Sequence, residues 1–319
     1  MAFDLHAMHR IARYSLGLML CLCALARPHD GRAQAWPQGT GQAYVKLAHG
    51  RSTAAEQYTF DGRLKPYADH VDGEAFFDRS AYLYMEYGVR EHLTVVGMLP
   101  FKDLRVLDAA FAYETGGVGS ALAGVRLGLK PLLGWSAPRQ ALALNLMLTL
   151  PTGYTRNLAP AIGAGQVDVQ ALLAWGLSLY PLPGYAQLGA GYRHRTGLYA
   201  LSRATPCQPG RDLHCVRDVR PDYADEWLLS AEVGTGVGRW ALLQVLGQAV
   251  LSVQPPDAAS SFSANNPIPE RQRYVKTGAG LSLYPTPALG LSLQAFLTPY
   301  GRNTIRSVDW FIGLEIIQR

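Results

Sequence analysis

Five charged side chains in the middle of the chain share a spacing that would let them meet. Asp168, Arg193, Arg195, Glu226 and Glu232 lie in three segments in which two sets of residues alternate. A period of two places every second side chain on the same face of a β-strand. If these segments are neighbouring strands, the charges can form cross-strand ion pairs that brace a wall, or a constriction that orients a polar solute. The sequence leaves both roles open.

The same parity carries polar side chains along most of the chain, while the opposite parity is more apolar. An Arg or Lys that faces lipid at the membrane midplane costs about 2–4 kcal/mol, so a polar face of this size is predicted to line a lumen. The predicted lumen and substrate-path residues are Tyr44, Lys46, Glu86, Arg126, Lys130, Asp168, Gln170, Arg193, Arg195, Glu226, Glu232, Gln244, Gln248 and Lys276.

No catalytic motif accompanies these charges. The sequence holds neither Gly-x-Ser-x-Gly nor His-Glu-x-x-His, and its histidines are scattered. The glycine-rich stretches at 115–119 and 234–238 precede no helical pattern that could bind a phosphate. We therefore predict no catalytic residue, no metal and no cofactor.

Two cysteines flank a Pro-Gly turn in a polar stretch. Cys207 and Cys215 are predicted to form a disulfide that staples a loop in an oxidising compartment. A metal or redox pair is the alternative, although one His and two Cys do not complete a metal site.

The N-terminus has the features of an export signal. Arg10 and Arg13 precede an apolar stretch over 14–26, which is too short to span a bilayer as a helix. Ala33-Gln34-Ala35 then matches the small-x-small cleavage rule. We predict a cleaved signal peptide over 1–35 and a mature chain over 36–319 that begins at Trp36.

Composition and strand length narrow the fold class. The chain has 319 residues, of which 49% are hydrophobic and 17% charged, so a disordered chain is excluded. Its net charge of +5 is too small to imply binding to nucleic acid. Alternating segments of 11 to 14 residues exceed the usual soluble strand and suit a tilted transmembrane strand. About twelve segments are predicted: near 41–49, 79–89, 92–100, 118–130, 139–150, 166–179, 185–196, 225–236, 240–253, 272–284, 288–298 and 304–317.

Short connectors alternate with long ones, at 50–78, 101–117, 151–165, 197–224 and 254–271. Short turns at one end and long loops at the other are typical of bacterial outer-membrane proteins. Strand edges must be paired within lipid, so the sheet must close. The predicted fold is all-β, a transmembrane antiparallel up-and-down β-barrel of about 12 strands. Aromatic residues near strand ends are predicted to form interfacial girdles; they include Trp175, Tyr180, Tyr185, Trp227, Trp240, Tyr284, Tyr300 and Trp310.

Several short motifs resemble one family of such proteins. A strand that ends in Leu-Pro-Thr-Gly at 150–153 is followed by Gly-Gln-Val-Asp-Val-Gln at 165–170, and Gly-Val-Arg-Leu-Gly lies at 124–128. With the glycine-rich strands at 187–192 and 278–284, these resemble the meta-pathway phenol-degradation family of outer-membrane proteins. The resemblance implies a channel or uptake protein for small, often aromatic or hydrophobic compounds. The chain departs from outer-membrane barrels in ending on Arg319 rather than on an aromatic residue.

The predicted function is passive, non-catalytic passage of small hydrophobic or aromatic molecules across the outer membrane of a Gram-negative bacterium. The expected partners are outer-membrane lipid and lipopolysaccharide, the export and barrel-assembly machinery, and a small-molecule solute, with no nucleic acid. Nothing globular precedes the first strand, so no plug domain is predicted. Two alternatives stay open: an enzyme that acts on lipid or lipopolysaccharide, and a structural or surface-interaction barrel with a blocked lumen.

Overall fold

A computed structural model describes residues 34–206, 208, 215, 220–260 and 268–318. Its secondary structure consists of β-strands, and no helix in the described part is long and apolar enough to cross a membrane. The strands are β1 Ala43–Tyr58, β2 Leu64–Pro66, β3 Phe76–Arg90, β4 Leu93–Leu107, β5 Ala112–Val118, β6 Ala121–Gly128, β7 Gln140–Leu150, β8 Asp168–Ser178, β9 Gly184–Arg195, β10 Glu226–Val237, β11 Ala241–Ser252, β12 Arg273–Thr286, β13 Leu289–Arg302 and β14 Thr304–Gln318.

Twelve of these strands close into an antiparallel barrel, as predicted. Each long strand pairs with its neighbours in chain order, and β14 returns to pair with β1 from Ala43↔Gln318 to Tyr58↔Thr304. The two short strands are not among these twelve: β2 pairs antiparallel with the end of β1, and β5 pairs antiparallel with the end of β4, at the same end of the barrel. Closure pairs the two edges that an open sheet would leave exposed.

Alternation along each strand separates an apolar outer face from a polar inner face. On β14, Trp310, Ile312, Leu314 and Ile316 are exposed outward, while Asp309 and Glu315 are buried. On β10, Trp227, Leu229 and Val233 are exposed, and the residues between them point inward. An apolar band of this kind around a closed barrel is what contact with lipid hydrocarbon requires. The register is therefore strongly specified, because a slip of one residue would exchange the two faces.

The connectors divide the barrel into a short-turn end and a long-loop end. The short-turn end has connections at 91–92, 129–139, 179–183, 238–240 and 287–288, and the long-loop end has those at 59–75, 151–167, 196–225 and 253–272. Both the start of β1 and the end of β14 lie at the short-turn end.

Two of the predicted loops are partly wrong. Much of 50–78 and 101–117 is sheet, because β1 runs to Tyr58, β4 runs to Leu107, and β2 and β5 pair against these extensions. Beyond a lipid layer both faces of a strand can contact water, so the alternation of apolar and polar residues that marks a transmembrane segment fades there. The predicted strand at 118–130 is also too long, since β6 ends at Gly128.

Candidate functional site: the barrel lumen

A cavity of about 270 Å³ opens at the long-loop end of the lumen. Apolar and aromatic side chains supply most of its wall, and two lysines and one aspartate supply its charge. An apolar cavity of about 150 Å³ is enough to bind benzene, so this space can hold a small organic molecule. We call it the vestibule; its lining is Tyr67, Phe76, Asp78, Lys102, Leu104, Pro160, Ala161, Ile162, Ile268, Pro269, Gln272, Tyr274, Lys276, Thr304 and Ile305.

The charges of the vestibule are compensated locally. Lys102 Nζ lies 2.7 Å from Asp78 Oδ2, and Lys276 Nζ lies 2.5 Å from Asp309 Oδ2. Burial raises the pKa of Tyr67, which follows β2 above the barrel, to about 12, so its hydroxyl group stays neutral at physiological pH. A solute in this cavity would meet apolar surface and paired charges rather than an unpaired charge.

Two long loops bind each other beside the vestibule. Asn157 Nδ2 donates to the carbonyl of Thr205 at 2.9 Å, and the Thr205 N–H donates back to Asn157 Oδ1 at 3.0 Å. Tyr154 OH accepts the N–H of Gly165 at 2.9 Å. Burial raises the pKa of Tyr199 to about 12, and its hydroxyl donates to the Pro221 carbonyl at 2.5 Å. These contacts fold the loop at 151–167 over the lumen, and this fold places Ile162 in the vestibule wall.

The predicted charge cluster forms at the long-loop end of β8, β9 and β10. Arg195 Nε lies 3.0 Å from Asp168 Oδ1, and its Nη1 lies 3.4 Å from Glu226 Oε2. Arg193 Nη1 donates to the same Glu226 oxygen at 2.7 Å. The Arg195 guanidinium also stacks 4.6 Å from the ring centre of Tyr223. These ion pairs join neighbouring strands, as a bracing role requires, and the low side-chain exposure of Arg195, 7%, means that lumen water barely reaches it.

The remaining member of the predicted set, Glu232, lies toward the short-turn end. It accepts hydrogen bonds from Tyr185 OH, from Gln187 Nε2 at 3.1 Å and from Gln244 Nε2 at 2.7 Å. Among the described residues, no Lys, Arg or His nitrogen lies within 4.0 Å of the Glu232 carboxylate. Glu232 therefore belongs to a second, neutral-donor network rather than to the arginine cluster.

The residues before β1 enter the barrel, which the sequence did not indicate. We call Gln34–Gln42 the inserted segment. The N–H of Gly41 donates to the Gly88 carbonyl at 2.8 Å, and the N–H of Gly88 donates to the Gln42 carbonyl at 2.9 Å, so the segment starts from the short-turn end of β3. Ala35 is completely buried among inner-face residues of β7, β8, β10 and β11: Ala141, Leu172, Ala174, Leu228 and Val250.

Two glycines make room for the inserted segment. A Cβ atom at Gly176 would lie 2.3 Å from the Trp36 ring, and one at Gly88 would lie 2.0 Å from the Gly39 carbonyl oxygen. The Trp36 ring packs edge-on against Tyr185, with centroids 5.9 Å apart. Larger side chains at these two positions would exclude the segment, so the inner-face glycines have a specific packing role here.

A buried polar network holds the inserted segment in place. Arg126 forms two hydrogen bonds to the Glu86 carboxylate, at 2.9 and 3.1 Å, and a third to the Trp36 carbonyl at 3.1 Å. Gln38 Nε2 donates to Glu86 Oε2 at 2.6 Å. Asn145 accepts from Arg126 Nε at 2.9 Å and donates to the Gln34 carbonyl at 3.2 Å.

Most of the other predicted lumen residues also point inward. Lys46 Nζ lies 3.6 Å from Glu315 Oε1, and Tyr44 packs edge-on against Tyr84. Gln248 shares the inner parity, since its register partners are Ser230 and Lys276, and it is exposed to the lumen.

Gln170 accepts a 3.4 Å hydrogen bond from Arg193 Nη2. Lys130 is the exception, because it lies beyond the end of β6 and its Nζ donates to the carbonyls of Ala137 and Gln140 in the turn, at 2.5 and 2.7 Å. Lys130 therefore belongs to the turn at 129–139 and not to a barrel strand, and its place in the solute path stays a prediction.

Two predicted girdle aromatics also lie inside the barrel. Tyr185 is buried against Trp36, and Tyr284 OH donates to Glu315 at 3.2 Å. Five other members of that set are exposed outward: Tyr180, Trp227, Trp240, Tyr300 and Trp310. The parity of β9 and β12 could have identified the two exceptions, since both share the inner face with predicted lumen residues.

Several lumen residues were not among those predicted from the sequence. Asp309 and Glu315 share the inner parity of β14, and this signal was available beside its apolar face. Asp78 and Lys102 lie in regions predicted as loops, so their pairing was hidden. Asn145 stands among apolar residues on β7, and nothing in its surroundings pointed to Arg126.

The described residues present no group of three His, Cys, Asp or Glu side chains that could hold a metal ion. His194 Nδ1 lies 3.1 Å from both Asp225 oxygens on the outer side of the barrel, and Tyr192 OH also donates to Asp225. No serine shares this network in the part of the chain that the structure covers. The arrangement consequently lacks the nucleophile that a serine hydrolase needs.

The loop cysteines are only partly described. Cys215 is disulfide-bonded and forms an isolated bridge with Leu158 of the loop at 151–167. Cys207 lies outside the described residues, so its pairing with Cys215 stays a prediction. The signal peptide predicted over 1–35 lies outside them too, except for Gln34 and Ala35.

Comparison with known proteins adds evidence on the fold. No protein-family model and no curated protein matches the chain. An outer membrane channel from Pseudomonas putida F1 has a similar structure, with a TM-score of 0.65 and 13% sequence identity over 92% of this chain and 99% of that one. The NanC porin has a TM-score of 0.49 and 6% identity over 85% and 98% of the two chains. At such low identity the first likeness shows a common fold, that of outer-membrane β-barrels.

Proposed function

We propose that this protein is an outer-membrane channel for passive passage of small, largely apolar molecules, with aromatic compounds as the favoured class. The observation that carries the proposal is the vestibule, an apolar cavity of about 270 Å³ at the long-loop end of a closed barrel. Ligand cavities are lined mainly by apolar and aromatic side chains with a few placed polar groups, which describes this lining.

The compensated charges of the lumen favour an uncharged solute. The inner-face cations Lys46, Lys102, Arg126, Arg195 and Lys276 each lie within ion-pair distance of a carboxylate. Selectivity for ions normally needs a ring of charges of one sign. This lumen should accordingly show no strong preference for anions or cations.

The inserted segment restricts the path to small solutes. The Trp36 ring packs against Tyr185 of β9 and over Gly176 of β8, and fills space that an open porin would leave to water. A twelve-stranded barrel has a narrow lumen to begin with, so one inserted segment removes a large part of its cross-section. Passage of the solute past the inserted segment then limits the rate of transport.

Orientation follows from the connectors. Outer-membrane barrels have short periplasmic turns and longer external loops, so the vestibule faces the outside and the inserted segment faces the periplasm. The solute then enters the vestibule first and passes the predicted lumen residues on the inner faces of the strands. Export and barrel assembly precede this function, and outer-membrane lipid surrounds the barrel.

The direct test fills the vestibule. Ala161→Trp places a large side chain in the cavity wall, and Leu133→Trp adds the same side chain at an exposed position of a short turn. Uptake of a radiolabelled alkylbenzene is measured in Gram-negative cells that express each variant at equal folded levels. We expect the vestibule variant to lose most of the uptake above empty-vector cells and the control to retain it. Equal uptake by both variants would contradict the proposal.

A further inference from the structure

Two arginines stand directly opposite each other on the outer wall of the barrel. Arg51 of β1 and Arg79 of β3 are register partners in the antiparallel pair, and both side chains are exposed. They occupy the outward parity, because their neighbours Gly50 and Ser80 are buried on the inner face. Like charges that face each other across two strands repel, so this pair costs stability unless an anion lies between them.

Within the part of the chain that the structure describes, no carboxylate lies within 4.0 Å of either arginine. The other outer-wall arginines of this region differ in this respect. Arg105 Nε lies 3.3 Å from Glu114, and Arg306 Nη1 lies 2.6 Å from Glu56. Glu74 lies near this face, where its carboxylate accepts a hydrogen bond from Thr53 at 2.7 Å, but it is not within 4.0 Å of either arginine.

The position of the two arginines along their strands indicates which part of the membrane they face. Trp310 of β14 is the register partner of Arg51 on the other side, and Ile312, Leu314 and Ile316 continue the apolar outer face toward the short-turn end. Toward the long-loop end the outer face becomes charged at Arg306. The arginines thus lie at the edge of the apolar band, at the level of an interfacial tryptophan, where lipid headgroups lie.

We propose that Arg51 and Arg79 form a binding site for a phosphate group of lipid A on the outer wall of the barrel. This inference rests on the orientation in the proposed function, which places the long-loop end in the outer leaflet. Lipopolysaccharide forms that leaflet, and its lipid A carries phosphate groups at the interface. Planar guanidinium groups bind phosphate through paired hydrogen bonds, and a phosphate between the two arginines offsets the repulsion between their charges.

The test compares two double variants of the full-length mature protein in detergent. Arg51→Gln with Arg79→Gln removes the site, and Arg105→Gln with Arg306→Gln removes two arginines that already have carboxylate partners. Native mass spectrometry measures binding of diphosphoryl lipid A, of dephosphorylated lipid A and of phosphatidylglycerol. Heat-modifiable gel migration establishes that each variant is folded.

We expect the site variant to bind diphosphoryl lipid A about tenfold more weakly, which corresponds to about 1.4 kcal/mol, while the control variant stays within about twofold of the wild type. Dephosphorylated lipid A should bind both variants equally. If both variants lost lipid A binding equally, the loss would reflect the lower net positive charge of the protein, and the proposed site would be overturned. Phosphatidylglycerol binding that equals lipid A binding, and that falls equally in the site variant, would overturn the assignment to lipid A.

The channel proposal is tested by solute uptake, independently of lipid A binding. The site variant changes only the outer wall and should keep wild-type solute uptake, whereas loss of uptake in the Ala161→Trp variant with intact lipid A binding would concern the lumen alone. Lost lipid A binding with intact uptake is the result that supports this inference.

Discussion

Arg126 and Glu86 form a two-point ion pair inside the barrel, and the same guanidinium holds the backbone of Trp36. The side chains are 2% and 3% exposed, and the nitrogen–oxygen distances are 2.9 and 3.1 Å. Arg126 thereby joins β3 and β6 to the inserted segment. One pair of residues therefore links the barrel wall to the inserted segment at the short-turn end.

Removal of one partner should therefore be costly. Arg126→Met leaves the Glu86 carboxylate buried without its cation, and broken pairs of this kind typically cost about 3–5 kcal/mol. Urea unfolding of the barrel, followed by tryptophan fluorescence, measures the loss. The double variant Arg126→Met with Glu86→Leu removes both charges and should recover a large part of it. A double variant no more stable than Arg126→Met would show that an unpaired charge is not the cause.

Trp36 should limit the width of the path. Its ring packs against Tyr185 and over Gly176, so Trp36→Ala opens space in the lumen without removing a strand contact. We expect single-channel conductance of the refolded protein to rise severalfold. Trp240→Ala is the matched control, because that ring is exposed on the outside of the barrel. If both variants conduct like the wild type, the inserted segment does not restrict the path.

The two arginines of β9 should differ in their effects. Arg195 is nearly buried and pairs with Asp168 and Glu226, whereas Arg193 is 26% exposed and pairs with Glu226. Arg195→Ala should lower the temperature of the heat-modifiable gel transition clearly more than Arg193→Ala does. A bracing role also predicts that folded Arg195→Ala protein keeps its solute uptake. Unchanged stability with altered uptake would instead identify a constriction that orients the solute.

Mass spectrometry of protein purified from outer membranes tests both covalent predictions. Cleavage after Ala35 would give a mature chain that begins at Trp36 and would leave Asn145 without the Gln34 carbonyl that it binds. A Cys207–Cys215 disulfide predicts a mass lower by two hydrogens and no reaction with a thiol reagent before reduction. A longer N-terminus or alkylation of an unreduced sample would contradict the corresponding prediction.

The sequence predicted the closed barrel because lipid imposes a strict pattern on it. Wherever a strand crosses the apolar band, one face must be apolar, and the alternation on β10 and β14 makes this visible. The inner parity followed from the same pattern, and this is why Glu86, Arg126 and Asp168 were placed in the lumen. Their partners were harder to predict, since register between strands decides that Arg126 meets Glu86.

The parts that the sequence did not predict lack such a constraint. The extensions of β1 and β4 lie where both faces can be wet, so the period of two fades. The inserted segment Gln34–Gln42 has no periodic pattern, and its position depends on glycines at 88 and 176 and on a buried arginine three strands away. The vestibule likewise depends on loop folding that brings Ile162 beside β4 and β12.

Single-channel recording of the refolded protein in planar bilayers, with and without a small aromatic solute, measures passage through the lumen itself. We expect small, steady conductance steps with little preference for anions or cations, and we expect the solute to block them by occupying the vestibule. Trp36→Ala should enlarge the steps. A folded barrel that stays silent both as wild type and as Trp36→Ala, with no response to solute, would contradict a path through the lumen.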